Sequence, residues 1–153
     1  MRFWSTLSVL PALLVACGDA SDLSLTAATQ AESIVVQNGA FGETVSGQFS
    51  VRFELGSEAA GGSRLTLGNF SLQSESGASL AAPLDVLADQ DFPLQIAKGQ
   101  SITVHFTFPA ASVEQGMAAC PGPVLIVGSV NDQLKGGTLP IHSGKITPEC
   151  PSN

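Results

Sequence analysis

Apolar and polar residues alternate with a period of two over most of this chain, the pattern of strands with one buried and one solvated face. Within residues 48–55, Phe49, Val51, Phe53 and Leu55 fall on one side, and Ser50, Arg52 and Glu54 on the other. The cleanest run sets Ile102, Val104, Phe106 and Phe108 against Thr103, His105 and Thr107. Residues 33–37 predict a short first strand, and residues 92–97 another that stops at the Lys98-Gly99 turn. Leu65 and Leu67 share a parity that Phe70 and Leu72 do not. A one-residue slip would turn every later side chain to the wrong face, so a β-bulge is expected at Gly68-Asn69. Residues 124–130 are apolar but for Ser129, as in a central strand, and residues 136–146 predict a last strand with Leu139 and Ile141 at core parity. Residues 79–87 are a weaker candidate broken by Pro83, and residues 109–123 are expected to be a loop. No segment carries helical periodicity. Around seven short strands with Gly-rich turns predict one all-β domain, an antiparallel sandwich of two packed sheets.

The start of the chain breaks this pattern. Arg2 precedes an apolar stretch, residues 3–16, which ends in small residues. That is the layout of a secretory signal. It is too short for a bilayer core, which needs about 20 apolar residues. Leu14-Val15-Ala16-Cys17 resembles the bacterial lipobox. In that family the Cys thiol receives diacylglycerol, the signal is cut before it, and the new amino group is acylated. The resemblance implies a signal peptide over residues 1–16 and Cys17 as the lipid attachment site. Ordinary cleavage near Ala16 or Ala20 is the competing reading. Gly18 and Asp19 follow the cysteine, without the usual inner-membrane retention residue. By resemblance this implies an outer-membrane lipoprotein facing the periplasm. Residues 17–31 lack periodic hydrophobicity and are expected to form a tether, about 20 Å root-mean-square and at most about 45 Å long. Residues 32–153 remain as the domain.

Composition narrows the possible partners. Thirteen acids against six bases give a net charge of −7, so nucleic acid and anionic lipid heads are poor partners. There is no Tyr, and the one Trp, Trp4, lies in the signal segment. Tight contact sites draw heavily on those two residues and Arg, so a lectin-like or antibody-like site is disfavoured. With Cys17 taken by lipid in an oxidising compartment, Cys120 and Cys150 are expected to pair as a disulfide. In the loop-entropy account such a bond stabilises by about 3.5 kcal/mol.

Phe92-Pro93-Leu94, Ile96, Gly99, Ser101-Ile102, Val104 and Phe106, with the stretch 127–144, resemble immunoglobulin-like domains of the ASPM/SPD-2/Hydin type. The likeness covers residues 33–147. It implies an Ig-like sandwich serving as a structural or protein-contact module without catalytic residues. The Cys120–Cys150 pair is not part of the usual pattern.

Searching for chemistry yields little. His105 sits at outward strand parity. His142, Ser143 and Asp132 supply the residue types of a triad but no nucleophile elbow. A copper sandwich would need a His shortly after Cys120, where there is none, and Met117 precedes the cysteine. Asp85, Asp89 and Asp91 form a loosely spaced acidic loop better suited to solvation than to Ca²⁺. The expectation is therefore a non-enzymatic lipoprotein with no cofactor and no metal. It is held to membrane lipid through acylated Cys17 and acts on an envelope protein. The alternative is a periplasmic carrier or sensor binding a small apolar ligand between its sheets, which needs an interior pocket of at least about 300 Å³.

Overall fold

A computed structural model describes residues 25–40, 42–113 and 116–151. Residues 1–16, Cys17 and the first part of the expected tether lie outside the described residues. The strands are β1 (Leu25–Gly39), β2 (Gly42–Leu55), β3 (Ser63–Ser74), β4 (Ser79–Ala81), β5 (Leu87–Ala88), β6 (Leu94–Ile96), β7 (Ser101–Val113), β8 (Val124–Asp132) and β9 (Gly137–His142). A single 3₁₀ turn spans Gly116–Ala119.

All strand pairings are antiparallel. The first sheet runs β1-β2-β7-β5. The second has β8 between β3 and β9, and the outer edge of β3 carries β6 at its start and β4 at its end. With the short β4 and β6 set aside and the other seven strands lettered in chain order, these are the A-B-E-D and C-F-G sheets of an immunoglobulin-type sandwich, joined by Greek-key connections.

The expected bulge is present. Pairing passes from Leu67↔Val130 to Phe70↔Gly128, so three residues of β3 span two of β8. The shift keeps Leu65, Phe70 and Leu72 all buried.

Three boundaries differ from the pattern-based reading. The tether was expected over 17–31; within the described residues Leu25–Ala31 are strand, pairing in register with Leu55–Phe49. Small residues such as Ala27 and Ala28 give no hydrophobic alternation, and the ladder to β2 holds them in place. The loop expected from Pro109 is also partly strand, because β7 runs on to Val113. Pairing passes from Gly47↔Phe108 to Val45↔Ala111, so the extra residue of a second bulge falls at Pro109-Ala110. A bulge is a place where a strand tolerates proline. Finally, β9 ends at His142, and Ile146 makes only an isolated bridge to Val124.

The interior is filled by aromatic rings. Phe49 stacks on Phe106 at 5.0 Å, and Phe70 reaches across from the second sheet to both, at 5.6 and 5.7 Å. Phe92 flanks Phe106 at 6.2 Å. Two rings occupy space left by glycines directly opposite. A Cβ on Gly128 would stand 2.2 Å from Phe70, and one on Gly47 would stand 2.5 Å from Phe108. After β9 the tail crosses between the sheets: Ile146 bridges β8, then Glu149 exchanges backbone hydrogen bonds with Ile34 and Val36 of β1, at 2.8 Å each.

Candidate functional site

The residues that could have formed a catalytic set are dispersed and have structural duties. Asp132 is buried. Its Oδ1 accepts hydrogen bonds from the Ser63 hydroxyl and, at 2.9 Å, from the Leu134 N–H, which closes the turn between β8 and β9. The Ser143 hydroxyl accepts the Ile126 N–H and donates to the Gly144 carbonyl, both at 2.8 Å. Ser143 thus sits beside Ile126, six residues along β8 from Asp132, or about 20 Å in a strand. His142, exposed opposite Val127, cannot bring these groups onto one substrate.

Asp89 meets His105 through backbone. Its Oδ1 accepts the His105 N–H and its own N–H donates to the His105 carbonyl, each at 2.9 Å. These bonds extend the short β5 edge. Asp85 and Asp91 are exposed, and among the described residues no three His, Cys, Asp or Glu side chains gather as a metal site. The Met117 N–H donates to Glu43 Oε2 at 2.7 Å. Cys120 and Cys150 lie at disulfide distance, with sulfurs 2.07 Å and Cα atoms 5.9 Å apart.

The sheet edges offer more. In the second sheet, β6 and β4 flank β3, and the Leu84 N–H caps the Phe70 carbonyl between them. The opposite edge, β9, is six residues long and contains Pro140, which has no N–H to offer.

In the first sheet, β1 is a fifteen-residue edge strand. Its outward groups follow from the ladder. Leu55 bonds to Gln100 and Gly99 on the β7 side, so the alternate residues Arg52 and Glu54 face β1. Their partners Ala28 and Thr26 therefore point their backbone groups at β2, and Ala27 and Thr29 point theirs outward. Beyond the register shift at Ala31/Ser33 the outward residues are Ile34 and Val36, and these bond to Glu149. The tail thus occupies the upper half of the edge. No strand among the described residues occupies the half around Ala27 and Thr29.

Pattern analysis placed this half-edge in a tether. The usable signal was weak: a run of Thr, Ala and Gln with neither Gly nor Pro between residues 25 and 31. Neither the protein-family models nor the curated proteins contain a match to this chain.

Proposed function

We propose that this chain is a lipid-anchored envelope lipoprotein whose Ig-like domain works without catalysis, by taking an extended segment of a partner protein onto the open half of β1. The observation that carries the reading is the outward-facing backbone at Ala27 and Thr29 on a long edge strand, which no strand among the described residues occupies. Strand addition draws its affinity from main-chain hydrogen bonds, which suits a chain with no Tyr and, among the described residues, no Trp.

The lipobox supports the anchor. Seven residues, 18–24, separate Cys17 from Leu25, a reach of at most about 28 Å. Acylation at Cys17 would hold the open edge close to the bilayer, where envelope partners are concentrated. A covalent Cys120–Cys150 bond would lock the tail against β1 and keep the upper half of the edge closed. The packing of Phe49, Phe70 and Phe106 between the sheets favours contact over carriage of an apolar ligand.

The test is site-specific photocrosslinking from the exposed Ala28 in native envelopes, with the same probe at Thr138 on the second sheet as a control. A defined adduct from Ala28 alone is expected. Equal adducts from both positions, or none from Ala28, would reject the docking edge. Palmitate labelling that persists in Cys17→Ala would reject the anchor independently.

A further inference from the structure

The tail that covers the upper half of β1 is fastened by a pair of sulfurs at disulfide distance, and the two ends of that pair are held very differently. Cys120 follows the 3₁₀ turn, where its N–H donates to the Met117 carbonyl at 3.1 Å. The turn is tied to β2 through Glu43, Ala119 is fully buried, and Cys120 packs against the core. Cys150 is exposed, one residue beyond Glu149. It lines an open hollow of about 710 Å³ beside the β1–β2 hairpin, with Val36, Asn38, Gly39, Ala110 and Pro151. One sulfur belongs to the body of the domain and the other to a surface segment.

Little else fastens that segment. Ile146 is bridged to Val124 of β8. Past it, among the described residues, the tail is held by the buried Pro148, the two backbone bonds of Glu149 to Ile34 and Val36, and the Cys150 sulfur. Backbone bonds at a sheet edge compete with water and contribute little net. A bridge to Cys120 keeps Glu149 beside its partners at high effective concentration, however often those bonds open. The bridge is thus the dominant hold, and its accessible atom lies at the loose end.

We infer that Cys120–Cys150 is a reducible clasp that sets how much of β1 is open, an inference that rests on the reading of β1 as a docking edge. The co-reactant is a dithiol reductant. One of its thiolates attacks the exposed Cys150 sulfur, the S–S bond breaks, and Cys120 leaves as a thiolate that takes up a proton. The second thiol of the reductant then displaces Cys150 from the mixed disulfide, so Cys150 also ends as a thiol. Two electrons and two protons pass to the cysteines, and the reductant ends as a disulfide. Exposed disulfides are the labile ones, which suits a switch better than a permanent staple. With the clasp open, Glu149 separates from β1, and the Val36 N–H and Ile34 carbonyl face outward unpaired. The open edge then runs from Ala27 to Val36, broken only by the register shift at Ala31/Ser33. An added strand gains main-chain bonds along the longer edge, so reduction strengthens docking.

The full-length chain in detergent, incubated with dithiothreitol and followed by amide-resolved hydrogen exchange, tests this. Two new thiols should appear under native conditions, and exchange at Val36 should quicken at least about tenfold. Val51, fully buried in the β2–β7 ladder, should hold, and reoxidation should restore slow exchange at Val36. Cys150→Ser should show the fast exchange with no reductant. Two thiols with unchanged Val36 exchange, equal acceleration at Val36 and Val51, or thiols that appear only once urea unfolds the domain would each overturn the clasp. The photocrosslink from Ala28 in native envelopes separates the clasp from the docking edge. An adduct from Ala28 with no response at Val36 rejects the clasp alone. A reversible Val36 response without any adduct keeps the clasp and rejects the docking edge.

Discussion

The two sheets of this sandwich share one packing device and differ in how they meet solvent. Each has a phenylalanine ring lying over a glycine beside a bulge, Phe108 on Gly47 in the first sheet and Phe70 on Gly128 in the second. Yet the second sheet is closed along both margins, by β4 and β6 on one side and a short proline-bearing strand on the other. The first sheet ends in a fifteen-residue strand that is half covered by the tail and, among the described residues, half open. Natural sheets usually blunt their edges, so an edge left unprotected on one sheet of two is informative. Under the proposed function, contact belongs to the first sheet and support to the second.

The largest test of this asymmetry removes the ring both sheets share. Phe49 is fully buried and touches Phe70 and Phe106. Phe49→Ala should cost about 3–5 kcal/mol, measured by urea unfolding. A cost below about 1 kcal/mol would mean that the sheets are not coupled through this cluster. Next in size, replacing Cys120 and Cys150 with Ser should lower stability by about 3.5 kcal/mol if the pair is covalent. It should also speed hydrogen exchange at the Val36 amide, which the tail protects. Unchanged stability together with two titratable thiols in the unreduced parent would remove the clasp.

The glycine pairs allow a like-for-like comparison. Ala at either position is overpacked, at about 1–3 kcal/mol. Gly47→Ala should be the worse, because its Cβ would also meet the Ser33 carbonyl oxygen at 2.6 Å, and backbone cannot swing aside. At Gly128 the nearest obstacles are all atoms of the Phe70 ring, so adding Phe70→Leu should recover part of the loss. Equal costs with no recovery would show that ring packing is not what these glycines serve.

How much of this was legible depended on whether a feature changes side-chain parity. The bulge at Gly68-Asn69 was readable because Leu67 and Phe70 carry large apolar side chains on either side of the slip. The second bulge was not, because Pro109 resembles a strand end and Ala110 and Ala111 mark no face. The early half of β1 was invisible for the same reason: alanines and threonines are compatible with both a tether and an edge strand, and only pairing to β2 decides. By contrast, the expectation that Cys120 and Cys150 pair needed only compartment logic, and they do stand at disulfide distance.

The smallest expected change in stability belongs to the substitution that bears most on contact. Ala27 directs its N–H outward, so Ala27→Pro removes a donor that no strand among the described residues uses. Proline is tolerated on edge strands in that position, and the stability loss should stay near about 0.5 kcal/mol. Ala28 directs its N–H at β2, so Ala28→Pro breaks a ladder bond and should cost at least about 1 kcal/mol more. Photocrosslinking read from the exposed Gln30 should fall in Ala27→Pro while far-UV circular dichroism and the unfolding midpoint hold. If Ala27→Pro instead unfolds the domain as much as Ala28→Pro, the inferred direction of the edge groups is reversed and the docking half of β1 is already paired. If it leaves crosslinking intact, the partner binds elsewhere. Either result would dissolve the contrast between an open and a closed sheet.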